Sequence, residues 1–339
     1  MKRSYEYIDM NIHKVAVFEH DECGKHLEGL NVLPERPART ETISEALHNA
    51  PFIEFLEFIS PKPVTKEDLL SIHSVDHIDN VNEHIQTATD IGGSYMVNKD
   101  SDVIVTEGSD SAAAHAAGAM RDAVKLVYSE SPINKVFCNV RPPGHHAHRH
   151  KASGFCLYNN VWFGAMEARK LLENKGIASP RVAIIDWDLH HGDGTQHFVL
   201  NNTELSTFFV SIHQSYNSQF PMTGKECKKI RDNTISINHN IIPGGGDIEI
   251  QEYFDTLIPE LREWKPDIIF ISCGFDAHKL DTIGHLNYSS KLYGFMTRKL
   301  VSVADDLCNG RIISVLEGGY NLQALRESSL EHVGALIGI

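Results

Sequence analysis

The sequence predicts an α/β fold built on a parallel sheet with helices on both faces. Short runs of β-branched residues alternate along the chain with longer segments of helical periodicity. The runs are apolar on both faces, which is typical of strands buried inside a parallel sheet. Predicted strands cover residues 13–18, 135–139, 181–186, 207–213, 234–238, 267–272 and 311–316, and predicted helices cover 109–128, 159–174, 247–263 and 288–308.

The chain is expected to form one domain over residues 1–339. No Pro/Gly/Ser-rich linker divides it, and its 42% hydrophobic and 22% charged residues are typical of a folded protein. Its 45 acidic and 31 basic residues give a net charge of -14, which argues against direct nucleic-acid binding and favours a cationic partner or substrate. The longest apolar runs fall far short of the ~20 residues that span a bilayer, so no membrane association is expected.

Further composition features bear on the compartment. No apolar run follows the basic N-terminal start, so no secretory signal peptide is expected and a cytoplasmic location is predicted; export by a route without such a signal stays open. The six cysteines form no CxxC pair and are interpreted as reduced, mostly buried thiols. The oligomeric state is left open, with a monomer preferred.

Polar motifs follow four of the predicted strands. They occupy residues 141–146, 186–194, 274–278 and 317–320. Ligands of α/β proteins bind outside the carboxyl ends of the strands, so the four loops are expected to converge on one site. The twenty histidines of the chain, several of them clustered, point to the same loops.

The segment 186–194 (DWDLHHGDG) has the pattern of a metal site. Side chains two apart at a strand end point the same way, so Asp186, Asp188 and His190 are expected on one side. Three such groups together are costly unless a cation gathers them, and carboxylate with imidazole suits zinc, iron or manganese. Asp276 at the next strand end would complete a set of three ligands. The alternative is a polar strand end whose aspartates cap the following helices.

The remaining motifs supply acid–base and oxyanion chemistry. The adjacent imidazoles of His145 and His146 have a pKa suited to proton transfer near neutrality, although a surface pair or a pair of metal ligands is the alternative. Tyr320, on a glycine turn, could donate a hydrogen bond to an oxyanion or simply pack. Nearby His148 and His150 are interpreted as solvated and are assigned no role.

Taken together, these motifs resemble a known family. PPGHHA, GFCLYNN, DWDLHHGDG, SIH, GFDAH and LEGGYN occur in this order over residues 141–321, as in the zinc-dependent histone deacetylase superfamily, which includes bacterial deacylases and acetylpolyamine amidohydrolases. Residues 33–37 are similar to the family's HPExPxR element, with Leu33 in place of His. The resemblance covers nearly the whole chain. It implies the arginase/deacetylase fold, a central parallel sheet of about eight strands flanked by helices.

The resemblance also implies roles for individual residues. The implied zinc ligands are Asp188, His190 and Asp276. The implied catalytic residues are His145, oriented by Asp186, His146, oriented by Asp193, and Tyr320, the transition-state hydrogen-bond donor. The implied substrate contacts are the Gly154 carbonyl, the tunnel walls Phe155 and Phe220, and the rim residues Asp102 and Ile283. The implied structural potassium site is formed by Asp186, Ser211 and Ile212 together with Asp188 and His190.

The implied reaction is hydrolysis of an acyl amide by metal-activated water. Zinc would polarise the carbonyl and acidify the water, and His146 would take its proton and later protonate the leaving amine. His145 would act mainly electrostatically. Because no residue of this set is substituted, an active enzyme is expected.

Features of the predicted rim favour acyl-lysine over acetylated polyamine as the substrate. Asp102 matches the family's peptide-gripping acid, the segment 80–109 lacks the insertion typical of polyamine amidohydrolases, and Ile283 stands where a polyamine-selective relative has Glu. Asp100 and Glu107 leave an acidic, polyamine-attracting rim open. Asp281-Thr282 also departs from the family's usual Asp-Pro.

Two other function classes are weighed against deacylation. An arginase-like ureohydrolase shares the implied fold, but the tandem histidines and Tyr320 argue against it. A non-catalytic protein that keeps a zinc ion is the second alternative. A test for turnover of an acyl-lysine would distinguish an enzyme from such a non-catalytic zinc protein, whereas a measurement of metal content would not.

Overall fold

The structure, a computed structural model, describes residues 13–30, 32–97, 102–217 and 219–339. The strands are β1 (Val15–Phe18), β2 (Leu56–Ile59), β3 (Tyr95–Met96), β4 (Ile104–Val105), β5 (Lys135–Cys138), β6 (Arg181–Asp186), β7 (Ser206–Gln214), β8 (Cys227–Arg231), β9 (Thr234–Ile241), β10 (Ile268–Cys273) and β11 (Ile312–Leu316). The α-helices are α1 (Ala38–His48), α2 (Lys66–Leu69), α3 (Val75–Asp90), α4 (Ser109–Val127), α5 (Asn160–Asn174), α6 (Asp193–Asn201), α7 (Asp247–Trp264), α8 (Ser290–Leu307) and α9 (Leu322–Ile337).

A large, mostly parallel sheet forms the centre of the molecule. Its strand order is β2-β1-β5-β11-β10-β6-β7-β9-β8, and every neighbouring pair is parallel except β8 with β9. The predicted α/β fold is therefore confirmed, with nine strands instead of about eight. Two strands of this sheet, β2 and β8, were not predicted from the sequence; β8 reads CKKIR and is mostly exposed, so it lacks the apolar run that marks the buried strands.

The sheet separates two apolar cores. Successive residues of each central strand point to opposite faces, and in β5 Val136 and Cys138 join one core while Phe137 joins the other. Helices α4 and α5 cover the first face, and α1, α7, α8 and α9 contribute to the second. This two-sided burial explains why the seven predicted strands read as apolar on both faces.

Besides β8, the sequence did not predict β2, β3, β4 or the helices α1, α2, α3 and α6. β2 is half-exposed at the edge of the sheet, and the β3–β4 hairpin has two residues in each strand. Helix α9 was also missed, although it begins directly after a predicted motif. Its cap is Asn321, whose side chain accepts the N–H of Ala324, so the helix fixes the position of Tyr320.

The described residues carry two further features that bear on the predicted environment. No helix among them is both long and apolar enough to cross a membrane. All six cysteines lie in these ranges and are free thiols, and five of them are buried.

Candidate active site

The four central strands bring their following loops to one edge of the sheet. β5, β11, β10 and β6 are neighbours and run parallel, so their carboxyl ends lie side by side. The loops after them carry the histidine pair, the tyrosine and the acidic residues that the sequence singled out. Residues that lie far apart in the chain are thus neighbours in the structure.

Asp188, His190 and Asp276 form a buried cluster with one ligand atom from each within 4.8 Å of the others. His190 Nδ1 lies 3.0 Å from Asp188 Oδ1 and 3.1 Å from Asp276 Oδ2. Only glycine fits at position 318, where a Cβ would lie 2.2 Å from Asp276 Oδ2. One imidazole and two carboxylates are a donor set that binds zinc and leaves a coordination position open.

The electrostatics of the cluster call for a cation. Burial and the charge of Asp188 raise the pKa of Asp276 to about 6. Burial lowers the pKa of His190, but the hydrogen bond to Asp188 and the charge of Asp276 outweigh it and raise this pKa to about 10. Without a metal ion, a bound proton is therefore needed to offset the repulsion between the carboxylates of Asp188 and Asp276. A divalent metal ion fits the same place.

Each of the adjacent histidines is oriented by its own carboxylate. His145 Nδ1 lies 3.0 Å from Asp186 Oδ2, and His146 Nδ1 lies 2.7 Å from Asp193 Oδ1. Because a carboxylate accepts, the Nδ1 atom of each ring carries a proton. The Nε2 atom of each ring does not contact these carboxylates and can take part in proton transfer. The Nε2 atom of His145 lies 3.7 Å from Asp188 Oδ1.

Different surroundings give the two histidines different protonation states. Burial and the charge of His145 lower the pKa of His146 to about 4, so His146 is neutral near pH 7 and can accept a proton. Burial also opposes the charged form of His145. The negative charges of Asp188 and Asp186 outweigh this effect and raise its pKa well above the usual value. The surroundings of His146 thus favour its neutral form, whereas the carboxylates beside His145 favour its charged form.

Glu317 holds the histidine loop in place from beneath. Its Oε2 atom accepts the backbone N–H groups of Gly144 at 2.7 Å and His145 at 3.0 Å, and Oε1 accepts the Ser272 hydroxyl at 3.1 Å. Burial raises the pKa of Glu317 to about 7. The sequence placed this residue in the LEGGYN motif without a role. Its function as a loop anchor depends on β11 lying beside β5.

The phenol of Tyr320 stays protonated and is held by two neighbours. Burial and the charge of Asp276 raise its pKa well above the usual value, so the hydroxyl can donate a hydrogen bond. The Arg39 guanidinium lies 4.9 Å from the ring centroid and also donates to the backbone carbonyls of Glu317 and Gly319. Asp281 Oδ2 accepts the backbone N–H groups of Tyr320 and Asn321.

Two aromatic side chains contact the polar groups of the site. The Phe220 ring lies 5.0 Å from the His146 ring, and the Phe155 ring lies 6.0 Å from the Tyr320 ring. Gly154 fits between His146 and Phe220, because a Cβ there would lie 2.2 Å from His146 Cδ2 and 2.9 Å from Phe220 Cε1. Its φ of +52° also favours glycine.

Comparison with known proteins agrees with this geometry. The histone deacetylase domain model matches residues 33–336. The chain is 33% identical to Histone deacetylase 14, chloroplastic, of Arabidopsis thaliana, over 90% of this chain and 73% of that protein. It is also 33% identical to a probable deacetylase of Archaeoglobus fulgidus, over 94% and 85% of the two chains. The crystal structure of the HDA15 HD domain superposes with a TM-score of 0.83 at 30% identity, over 96% of this chain and 90% of that one.

The chain belongs to the histone deacetylase family. The matched region includes the metal-ligand cluster, the histidine pair and Tyr320. Family membership supports a hydrolytic deacetylase activity and makes zinc the metal to expect in the cluster. The resemblance that the sequence motifs indicated is thereby confirmed.

One of the acids considered for the rim, Asp102, contacts a residue of the candidate site in this histone deacetylase family member. Asp102 is exposed, and its Oδ1 atom accepts the backbone N–H of Gly154 at 3.0 Å. Glu107 lines a separate surface groove with Glu22 and Lys25, and Asp100 lies outside the described residues. The Ile283 carbonyl accepts from Gln219 Nε2, which also lies 3.1 Å from His190 Nε2.

The residues of the predicted potassium site are neighbours in this deacetylase fold. Asp186 and Ser211 are paired across β6 and β7, and Ile212 follows in the same strand. All three are buried, and Ser211 Oγ accepts the Gly192 N–H at 3.2 Å. A bound potassium ion stays a prediction.

The structure adds residues to the site that the sequence interpretation left out. His148, interpreted there as solvated, contacts Asp193 with Nε2 at 2.8 Å. Its side chain is 19% exposed, so the solvated interpretation is wrong for His148, whereas His150 is exposed. Nothing in the local sequence around His148 and His150 indicated that His148 contacts Asp193, which lies 45 residues further along the chain.

Proposed function

We propose that the chain is a zinc-dependent deacylase that releases acetyl or other acyl groups from the ε-amine of lysine in proteins or peptides. The observation that carries the proposal is the convergence of a metal-ligand cluster, a neutral histidine and a protonated phenol on one strand edge. Hydrolysis of an amide needs each of these three parts: an activated water, a base for its proton and a donor for the oxyanion.

Asp188, His190 and Asp276 would hold the metal ion. When bound, zinc supplies Lewis-acid polarisation of the acyl carbonyl and a more acidic water. His146 takes the proton of that water on Nε2, which its lowered pKa of about 4 leaves free at neutral pH. The same proton then passes to the leaving nitrogen, so the products are a carboxylate and a primary amine.

The neighbouring groups stabilise charge during this proton transfer. The Tyr320 hydroxyl donates to the developing oxyanion, and His145, whose Nδ1 atom donates to Asp186, acts electrostatically on the negative charge nearby. Asp193 orients His146 and favours its charged form once the proton has moved. The backbone of Gly154 and the rings of Phe155 and Phe220 would contact the acyl-lysine stem.

Acetate release from an acetyl-lysine peptide tests this chemistry. The zinc-loaded protein is expected to turn over, and His146→Ala is expected to lose about 10²- to 10⁴-fold in kcat, the range for a general base. Asp276→Asn is expected to lose both activity and bound zinc. Turnover by the wild type no faster than by His146→Ala would refute the proposal and leave the non-catalytic alternative.

Lysine is favoured over polyamine as the amine because of the Asp102 environment. Its Oδ1 atom accepts the Gly154 N–H, so the carboxylate is held at the mouth of the site. Its other oxygen is available for the backbone N–H groups of a peptide substrate. Acetylated polyamines lack such groups. Asp102→Asn is therefore expected to raise KM for peptides more than for free acetyl-lysine.

Further expectations concern the state of the protein. We propose structural potassium at Asp186, Ser211 and Ile212, a monomer without nucleic-acid partners, and a single domain over residues 1–339. The six free thiols support a reducing compartment, of which the cytoplasm is the simplest. Potassium dependence of the melting temperature, with sodium as the control, tests the cation site.

A further inference from the structure

We propose that His148 is a positioning residue that acts on the catalytic base through a shared carboxylate. The inference rests on the proposed deacylase function, since it assigns His146 as the base. The two imidazoles bind opposite oxygens of Asp193: His146 Nδ1 lies 2.7 Å from Oδ1 and His148 Nε2 lies 2.8 Å from Oδ2. The three side chains therefore form one hydrogen-bonded chain.

This arrangement restricts the carboxylate to one orientation. A carboxylate with a single partner can rotate about its Cβ–Cγ bond, whereas two donors on different oxygens fix its plane. Asp193 is the first residue of α6, so its backbone is also fixed by the helix. Because His148 occupies Oδ2, Asp193 accepts the hydrogen bond from His146 on Oδ1. His148 thereby fixes the tautomer and direction of the His146 ring.

The hydrogen bond from His148, like the one from His146, favours the ionised form of Asp193. Burial opposes the ionised form, but the hydrogen bonds from His146 and His148 outweigh it and hold the pKa of Asp193 below its usual range. An ionised Asp193 stabilises the imidazolium that forms when His146 takes a proton. His148 would therefore contribute to the transition state without contacting the substrate.

The backbone of His148 is anchored independently of its side chain. Its carbonyl accepts from His73 Nδ1 at 3.0 Å, and its N–H donates to the Lys151 carbonyl at 3.0 Å. His73 is itself fixed, because its Nε2 atom accepts the N–H of Asn159. Replacing the His148 side chain should therefore leave the loop intact, and the ring contact with His197 at 5.1 Å is the main packing lost.

Three variants separate the hydrogen bond from the packing. His148→Phe keeps a ring against His197 without a donor, His148→Gln keeps a donor, and His150→Ala is the control because His150 is exposed in the same loop. His148→Phe is expected to lower kcat about tenfold, the scale of one hydrogen bond to a charged group, with KM unchanged. His148→Gln should recover most of this loss.

A second background tests whether the effect passes through Asp193. In Asp193→Asn, His148→Phe is expected to change kcat by less than about twofold, because residues of one network are not additive. Equal losses in both backgrounds would overturn the proposal, as would wild-type kcat in His148→Phe or no recovery in His148→Gln.

A spectroscopic readout does not depend on turnover. The Nδ1 proton of His146, hydrogen-bonded to Asp193, is expected at low field in the ¹H NMR spectrum and is expected to shift in His148→Phe but not in His150→Ala. An unchanged resonance in His148→Phe would contradict the inference. If the wild type fails to release acetate, the proposed function fails, while this resonance still tests the position of His148.

Discussion

Asp281 accepts the backbone N–H of Tyr320 at 2.7 Å, which fixes the loop that carries the phenol. The same oxygen accepts the N–H of Asn321, and the other oxygen accepts the N–H of Ile283. One buried carboxylate thus joins the tyrosine loop to the rim segment around Ile283. The Asp281-Thr282 departure from the family's Asp-Pro keeps the residue that makes these contacts.

Removing this carboxylate should displace Tyr320 and lower kcat more than it weakens substrate binding. Asp281→Ala leaves three backbone N–H groups without their acceptor, which is expected to reduce the free energy of unfolding by about 3 kcal/mol and kcat about tenfold. Urea unfolding and steady-state kinetics measure the two effects. Thr282→Ala, at the exposed neighbouring position, is the control. Unchanged kcat in Asp281→Ala would show that Tyr320 needs no such support.

The Tyr320 hydroxyl itself should act on the transition state. Tyr320→Phe keeps the ring that packs against Arg39 and removes only the donor. We expect kcat to fall by about 10²- to 10³-fold with little change in KM, as for the loss of one oxyanion donor. A rise in KM with kcat preserved would instead assign the hydroxyl to ground-state binding.

Gly154 should tolerate no side chain. Gly154→Ala places a Cβ 2.2 Å from His146 Cδ2 at a φ of +52°, so the base must move, and kcat/KM is expected to fall at least about 10²-fold. Gly176→Ala is the matched control, since Gly176 also has positive φ but has open space around its Cβ position. It should cost about 1 kcal/mol of stability and no activity. Similar activity losses in both variants would refute the steric account.

A buried histidine outside the metal-ligand cluster should make the fold sensitive to acid. His332 contacts the hydroxyls of Thr297 and Ser314 at 2.7 and 2.8 Å, and burial lowers its pKa to about 3. Below about pH 6.5 this histidine binds a proton in the unfolded chain but not in the folded chain. Stability is therefore lost as pH falls from about 6.5 towards 3.

At pH 5 this single histidine should account for about 2 kcal/mol of the lost unfolding free energy. The difference in unfolding free energy between pH 7 and pH 5 is expected to shrink by that amount in His332→Gln. It should be unchanged in His150→Ala, whose side chain is exposed. Equal pH dependence in wild type and His332→Gln would show that His332 is not the residue responsible.

The sequence predicted the central strands and the residues directly after them because both have local patterns. Asp188 and Asp276 follow apolar runs, so their position at one sheet edge could be inferred before the structure was known. Phe220 and Asp102 came only from the resemblance to a family, because neither stands in a motif with its own chemistry. Strand β8 was not predicted because an edge strand does not need an apolar face, and its sequence therefore lacks the apolar pattern of a buried strand.

The supporting residues could not be predicted, since their roles depend on the strand order. Glu317 anchors the histidine loop because β11 lies between β5 and β10, an order that is absent from the local sequence. His148 contacts Asp193 because its loop folds back to the start of α6. Such contacts join segments more than 40 residues apart and have no period or composition of their own.

Hydrolysis of acyl-lysine by this site is tested most directly by a comparison of kcat/KM values. Acetyl-lysine peptides are compared with N-acetylputrescine and N-acetylspermidine on the zinc-loaded protein, with His146→Ala as the blank. Peptides are expected to be preferred by at least about tenfold, or ~1.4 kcal/mol of transition-state binding. A preference for the acetylpolyamines would contradict the assignment of Asp102 and the lysine substrate class.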